Sequence, residues 1–229
     1  MPDIIQISTN TWRFEDDFVR FFLLEGAERA ALIDSGVASA NALELAKTLT
    51  DKPVVLINTH GDGDHTSGTA AFAEIHMHEQ DYVNCGIGAK FPGVKLAKIN
   101  DGDIIDLGGR PLKAVHIPGH TRGSLAFLDV NSRILFAGDS VQKGHIFMFG
   151  GHRCPEAFEA ALDKIIALQS EYDCIYASHG EFCLPKDYAE KVKAAWLTVR
   201  AGNLAFEMVN LYGAEVKSYT LDACGFYLD

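Results

Sequence analysis

His60, Asp62, Asp64 and His65 share one short stretch, Thr59-His60-Gly61-Asp62-Gly63-Asp64-His65-Thr66. Two imidazoles and two carboxylates supply the nitrogen and oxygen donors that divalent cations take. The intervening glycines let the backbone turn where a side chain would clash, so the donors can converge. The plainer alternative is a polar surface loop rich in turn formers. Against it stand three further residues with ligand chemistry: His120 in Pro118-Gly119-His120-Thr121, Asp139 in Ala137-Gly138-Asp139-Ser140, and His179 in Ser178-His179-Gly180. A histidine met alone is more often structural. These recur in one setting, each after an apolar run with glycine beside it or one residue away. Loops at one rim of a sheet can meet however far apart they lie in sequence.

Periodicity shows the elements that must position these residues. Val54-Val55-Leu56-Ile57 is a short, β-branched run bounded by turn residues, a buried strand that leads into the first ligand stretch. Residues 112–117, 133–136 and 174–177 are strands leading into His120, Asp139 and His179. Upstream, residues 3–8, 18–24 and 29–36 form a meander turned at Glu25-Gly26, the third strand closed by Asp34-Ser35-Gly36, and residues 40–49 carry Ala42, Leu45, Ala46 and Leu49 at helical spacing. Residues 67–73 form a short helix, and residues 74–78 alternate as a strand with His76 and His78 on one face, a structural pair. Residues 94–99 and 103–107 are short strands, and 124–129 pairs with 133–136 as a hairpin. Residues 155–168 form a helix with Pro155 in its first turn and Phe158, Leu162, Ile165 and Leu168 on one face. Residues 186–211 are helical in composition with a break near Gly202, and residues 216–220 return as an edge strand. This order predicts an α/β protein with layered sheets and outer helices.

Composition narrows the function classes. The chain has 229 residues with no linker, repeat or low-complexity tract, so residues 1–229 are expected to form one domain with a helical C-terminal extension from about 186. A net charge of -11 without a Lys/Arg cluster weighs against nucleic acid and anionic membrane surfaces as partners. No basic and apolar leader opens the chain and no apolar run is long enough to span a bilayer. Five scattered cysteines without a Cys-x-x-Cys pair fit free thiols in a cytoplasmic protein.

Leu32-Ile33-Asp34-Ser35-Gly36, the His60 to His65 stretch, Pro118-Gly119-His120-Thr121, Gly138-Asp139 and Ser178-His179-Gly180 together resemble the metallo-β-lactamase superfamily in order and spacing. The resemblance implies a four-layer αβ/βα sandwich with a two-metal site at one edge of the inner sheets. It implies one metal at His60, Asp62 and His120, a second at Asp64, His65 and His179, and Asp139 bridging, with Asp64 and Asp139 serving catalysis. Water held between the metals would be the nucleophile on a small ester, thioester, lactone or amide. Asp34 is a candidate to accept the outer N–H of a ligand imidazole, or else a cap on its turn.

Two departures qualify the resemblance. The family usually has histidine where this chain has Asp62. An aspartate there weakens the Lewis acidity and moves preference from an all-histidine site towards manganese or iron, although zinc, which accepts carboxylates, stays first. Aspartate rather than cysteine at position 139 points away from true β-lactamases of the commonest zinc class. The Pro-Gly-His-Thr segment is similar to hydroxyacylglutathione hydrolases, but that group's basic glutathione-binding residues are not found near the C-terminus. Two other functions stay open: a phosphodiesterase or nuclease-like hydrolase, and a non-catalytic metal-binding sensor.

The segment from Val141 to Arg153 holds His145, Phe147, Phe149 and His152. Starting beside Asp139, it is expected to supply the substrate pocket: Phe147 and Phe149 as wall, His145 or His152 for a polar group or a proton. The alternative is core packing or a homodimer contact with solvated histidines.

Overall fold

A run of apolar residues along a strand buries both faces, and this chain has several such runs. In the computed structural model, which describes residues 2–38 and 41–229, they build the middle of a layered sandwich. Strands β1 (Asp3–Ser8), β2 (Thr11–Asp16), β3 (Val19–Glu25) and β4 (Ala30–Ile33) form an antiparallel meander. Helix α1 (Ala42–Lys47) then returns the chain to β5 (Val54–Ile57), which lies parallel to β4. Ala40, where the predicted helix began, lies outside the described residues. Strand β6 (Glu74–Met77), the single-turn helix α2 (Tyr82–Cys85) and β7 (Lys95–Lys98) complete a seven-stranded sheet in the order β1 to β7.

The second sheet begins with β8 (Ile104–Asp106), β9 (Pro111–His116), β10 (Leu125–Asp129) and β11 (Ile134–Phe136). The chain leaves it for β12 (His145–Phe147) and helix α3 (Pro155–Ala167), and returns through β13 (Cys174–Tyr176), parallel to β11, and β14 (Cys183–Pro185). Alternation explains the layers. Phe22 and Leu24 of β3 meet Leu125 and Phe127 of β10 between the two sheets. Phe21 and Leu23 point the other way, to Leu45 and Ala46 of α1. Ala126 and Leu128 of β10 likewise face Phe158 and Leu162 of α3. Each large apolar side chain buried in this way contributes roughly 1.5–3 kcal/mol.

The C-terminal part differs from its predicted form. Helix α4 (Tyr188–Arg200) stops at the Ala201–Gly202 turn, with Gly202 at φ 77°. Strands β15 (Glu207–Leu211), β16 (Ala214–Thr220) and β17 (Gly225–Leu228) follow, and with β12 they make a four-stranded sheet in the order β12-β17-β16-β15. Residues 216–220 are therefore in an inner strand, not an edge one. Phe226 and Trp196 pack with Phe158, which fixes this sheet against the helices. Residues 207–211 share the helical composition of the segment before them, and the partner strand that makes them β lies downstream.

Candidate metal centre

The loops after β4, β5, β9, β11 and β13 open at one rim, and each carries a residue singled out above. Two groups of donors result. Asp64, His65, Asp139 and His179 form one, and His60, Asp62 and His120 the other, with donor atoms of each group within 4.8 Å of one another. Asp139 faces both: its Oδ1 lies 3.2 Å from His65 Nε2, and its Oδ2 3.1 Å from His179 Nε2 and 3.6 Å from His120 Nε2. Gly138 makes this placement possible. Its φ is +54°, and a Cβ there would lie 2.9 Å from the Thr59 side chain.

The four imidazoles are oriented alike. Asp34 Oδ2 accepts from His65 Nδ1 at 2.9 Å and from the Thr59 hydroxyl at 2.7 Å, while Oδ1 accepts the Thr59 N–H at 2.7 Å. With its proton given to Asp34, the Thr59 oxygen accepts from His60 Nδ1 at 2.9 Å. His120 Nδ1 donates to the Phe147 carbonyl at 2.9 Å and His179 Nδ1 to the Phe18 carbonyl at 2.8 Å. Carbonyls and carboxylates only accept, so the proton belongs on Nδ1 and Nε2 is left for the centre. His65 Nε2 and Asp139 Oδ1 are buried there without a hydrogen-bond partner among the described residues. Orphaned donor atoms that converge on a common point fit a divalent cation.

Charge crowding is severe. Burial pushes the Asp139 carboxyl up, but the charges of His179 and His65 outweigh it and hold it well below the carboxylate range. Burial likewise raises Asp62, and hydrogen bonds from His120 and His60 bring it well below. Burial lowers His179, yet Asp139 and Asp64 drive it up to about 10. His65 is raised well above its ordinary value against the pull of burial by Asp139, Asp64 and Asp34. His120 goes the other way, lowered by burial and by the Arg153 charge.

A cleft of about 910 Å³ opens over both groups, with Phe18, Val37, Phe147, Tyr212 and Tyr227 as its apolar walls. His145 and Phe147 are in the lining; Phe149 and His152 are not. Phe149 stands behind, its ring 5.7 Å from that of Phe147. The Gly150–Gly151 turn leaves His152 exposed and brings Arg153 into the cleft instead. His145 stacks on Tyr227 at 4.3 Å, with Nε2 beside the hydroxyls of Ser218 at 3.2 Å and Thr220 at 3.3 Å. A polar depression of about 450 Å³ lies at the opposite end of the sandwich, where the cations Lys52 and Arg110 are already paired with Glu25 and Asp129.

Sequence reasoning missed several site residues. Buried Asp81 accepts Gly61 N–H at 2.8 Å, the Thr121 hydroxyl at 2.7 Å and Gly123 N–H at 2.9 Å, clamping the first ligand loop to the His120 loop. Asn84 donates to Asp62 Oδ1 at 2.7 Å and Arg153 reaches Asp62 Oδ2 at 2.7 Å. Nothing local marks Asp81 or Asn84. Arg153 stood in the segment already singled out. The structural pair foreseen at His76 and His78 lies apart from the centre, with His78 stacked on His116 at 4.0 Å.

Residues 15–179 match the metallo-beta-lactamase superfamily. Acyl-coenzyme A thioesterase MBLAC2 of Homo sapiens is 27% identical over 164 residues, covering 55% of this chain and 59% of that protein. The chain thus spans under two thirds of that relative's length. Hydroxyacylglutathione hydrolase of Methylococcus capsulatus is 26% identical over 211 residues, covering 90% of this chain and 74% of the relative. A solved metallo-beta-lactamase from Pontibacter korlensis superposes with a TM-score of 0.73 at 18% identity, over 86% of this chain and 99% of that one, a likeness of fold. With the profile covering most of its length and the αβ/βα layers in place, the chain belongs to the metallo-beta-lactamase superfamily.

Proposed function

We propose that this chain is a metal-dependent hydrolase of a small thioester, with divalent ions at the two donor groups and Asp139 between them. The observation that carries this is the common orientation of the four histidines, each with Nδ1 given to an oxygen and Nε2 turned to the same centre. Divalent cations held there would acidify a water and polarise the acyl carbonyl. Zinc suits the nitrogen-rich set, and the added carboxylate of Asp62 keeps manganese and iron as alternatives.

The remaining work falls to side chains of this protein. Phe147, Tyr227 and Phe18 offer apolar surface to the acyl or thiol portion of the substrate. Asp64 lies in the cleft lining with Oδ2 3.3 Å from His179 Nε2. In this reading it takes a proton from the attacking water as the C–O bond forms and returns it to the thiolate as the C–S bond breaks. The names of the relatives support the substrate class: one is a thioesterase of acyl-coenzyme A, and the other hydrolyses an acylglutathione. The phosphodiesterase alternative finds less support, because the cleft cations Lys143 and Arg153 are paired with Glu181 and Asp62. Five free cysteines fit a reducing compartment.

Metal analysis with a panel of chromogenic thioester, lactone and phosphodiester substrates tests the proposal. Thioester hydrolysis that disappears on chelation and returns with zinc or manganese is expected. Phosphodiester cleavage with no thioester turnover in metal-replete protein would overturn it.

A further inference from the structure

The two donor groups are not equivalent, and the difference is a guanidinium. Arg153 Nη1 lies 2.7 Å from Asp62 Oδ2, 3.2 Å from the His120 carbonyl oxygen and 3.4 Å from His120 Nε2. The Asp62 oxygen it reaches is the one that faces His120 Nε2 at 3.2 Å and His60 Nε2 at 3.6 Å. The other, Oδ1, accepts from Asn84 at 2.7 Å. Both oxygens of Asp62 are therefore satisfied by the chain's own donors. Arg153 is no loose surface group, since its side chain is 14% exposed.

The other group contrasts at each point. Among the described residues, Asp64 and Asp139 have no lysine or arginine partner there, and their neighbours are His65 and His179. Buried His65 Nε2 and Asp139 Oδ1 lack hydrogen-bond partners among the described residues. Counted with neutral imidazoles, the Asp64 group carries two negative charges. The Asp62 group carries one, which Arg153 cancels. A dication entering the first takes its place among imidazoles and carboxylates, all of them metal-ligand types. A dication entering the second must share or displace a cation already seated on its carboxylate, in surroundings where like charges repel strongly. A guanidinium has no acceptor atom, so it cannot itself become a ligand of the ion it competes with.

We infer that Arg153 is the resident cation of the His60–Asp62–His120 group, so that the chain binds one divalent metal tightly at Asp64, His65, Asp139 and His179 and a second only weakly. This ranking rests on the metal-dependent reading above and adds to it an order of filling and the residue that sets it.

Metal binding tests the ranking directly. The full chain, stripped with chelator, is titrated with zinc and with manganese by calorimetry, and retained metal is measured after desalting. The parent is expected to keep close to one ion per chain, the second binding about tenfold or more weakly. Arg153→Gln should tighten the second ion by about tenfold and move retained metal towards two. Lys143→Gln removes a cleft cation that is paired with Glu181, and should leave both affinities as in the parent. Asp62→Asn gives an independent check: the second ion is lost and the first keeps its affinity. Two equally tight ions in the parent, no gain in Arg153→Gln, or loss of the first ion in Asp62→Asn would each overturn the ranking. A chain that binds no metal at all would overturn the metal-dependent reading along with it.

Discussion

Replacing Asp34 by asparagine changes one oxygen to an NH₂ group at the point where two histidine orientations are set. Asp34 has φ 64°, a left-handed conformation that asparagine also tolerates, so the backbone need not move. Its Oδ1 accepts the Thr59 N–H at 2.7 Å, and only the amide oxygen can keep that bond. The amide nitrogen then takes the place of Oδ2, against His65 Nδ1 at 2.9 Å. Two donors cannot face each other, so His65 must move its proton to Nε2, the atom meant for metal. The same exchange turns the Thr59 hydroxyl away from Asp34 and towards His60 Nδ1, which is 2.9 Å off.

The magnitude follows from those contacts. A charge-assisted hydrogen bond to a buried imidazole is worth about 1.5–3 kcal/mol. Every 1.4 kcal/mol is about tenfold in affinity. Metal binding in Asp34→Asn should therefore weaken by roughly 10–100-fold, in the range usual for such supporting carboxylates. Calorimetric titration with zinc measures it, and circular dichroism confirms that the variant is folded. A folded asparagine variant that binds zinc as tightly as the parent would refute the assigned tautomers. Asp34→Ala is harsher, because it strands the donors of Thr59 and His65 in the interior at about 1–3 kcal/mol each, and should lower the melting temperature as well.

Asp139→Ala should abolish hydrolysis and reduce bound metal below the parent's content, measured by elemental analysis, because its two oxygens face different imidazoles. In the metal-free chain, the raised His65 and His179 stabilise fully below their ordinary 6.5 and lose that contribution as pH rises, for His179 through about 10. The lowered Asp62, Asp64 and Asp139 stabilise above 3.8 and lose theirs as pH falls. Urea midpoints of the metal-free chain should thus peak between those values, and zinc binding at pH 7 should release protons, read by calorimetry in buffers of different ionisation enthalpy. Phe147→Ala should cut kcat/KM on an apolar thioester by roughly tenfold or more through lost contact area, while His152→Ala, outside the cleft, should leave it unchanged. Tyr212→Asn should raise thermal stability by relieving an aromatic residue at φ 52° and should raise KM for the same substrate.

The donor residues could be found in the sequence because they follow β5, β9, β11 and β13, strands whose side chains divide between two cores. Residues of β4 and β10 divide between two cores by alternation, so no polar face interrupts the apolar run, and the loop after it stands out. Strand β2 escaped notice for the opposite reason. Trp12, Arg13 and Glu15 are all partly exposed along it, and its pattern is neither alternating nor continuous. What Asp81 and Arg153 do depends on partners that arrive from other loops: Gly61, Thr121 and Gly123 for one, Asp62 for the other. No spacing rule reaches such pairs, because they exist only once the sheets are stacked.

The final hairpin shows the same limit at a turn. Leu211 pairs with Ala214, so Tyr212 and Gly213 form a two-residue loop, and both have positive φ, 52° and 87°. That geometry is normally announced by Asn-Gly or Asp-Gly, which take it without strain. Tyrosine in the first position hides the turn and leaves the residues after the Gly202 break reading as helical in composition. It also costs conformational energy that a smaller residue would not. The side chain gains no compensating burial, being 90% exposed. It does stand in the wall of the cleft with Phe147 and Tyr227, where an apolar substrate would cover it. Strain at an exposed position is the kind of outlier that accompanies a binding role, and a raised KM in Tyr212→Asn is the outcome that would support one here.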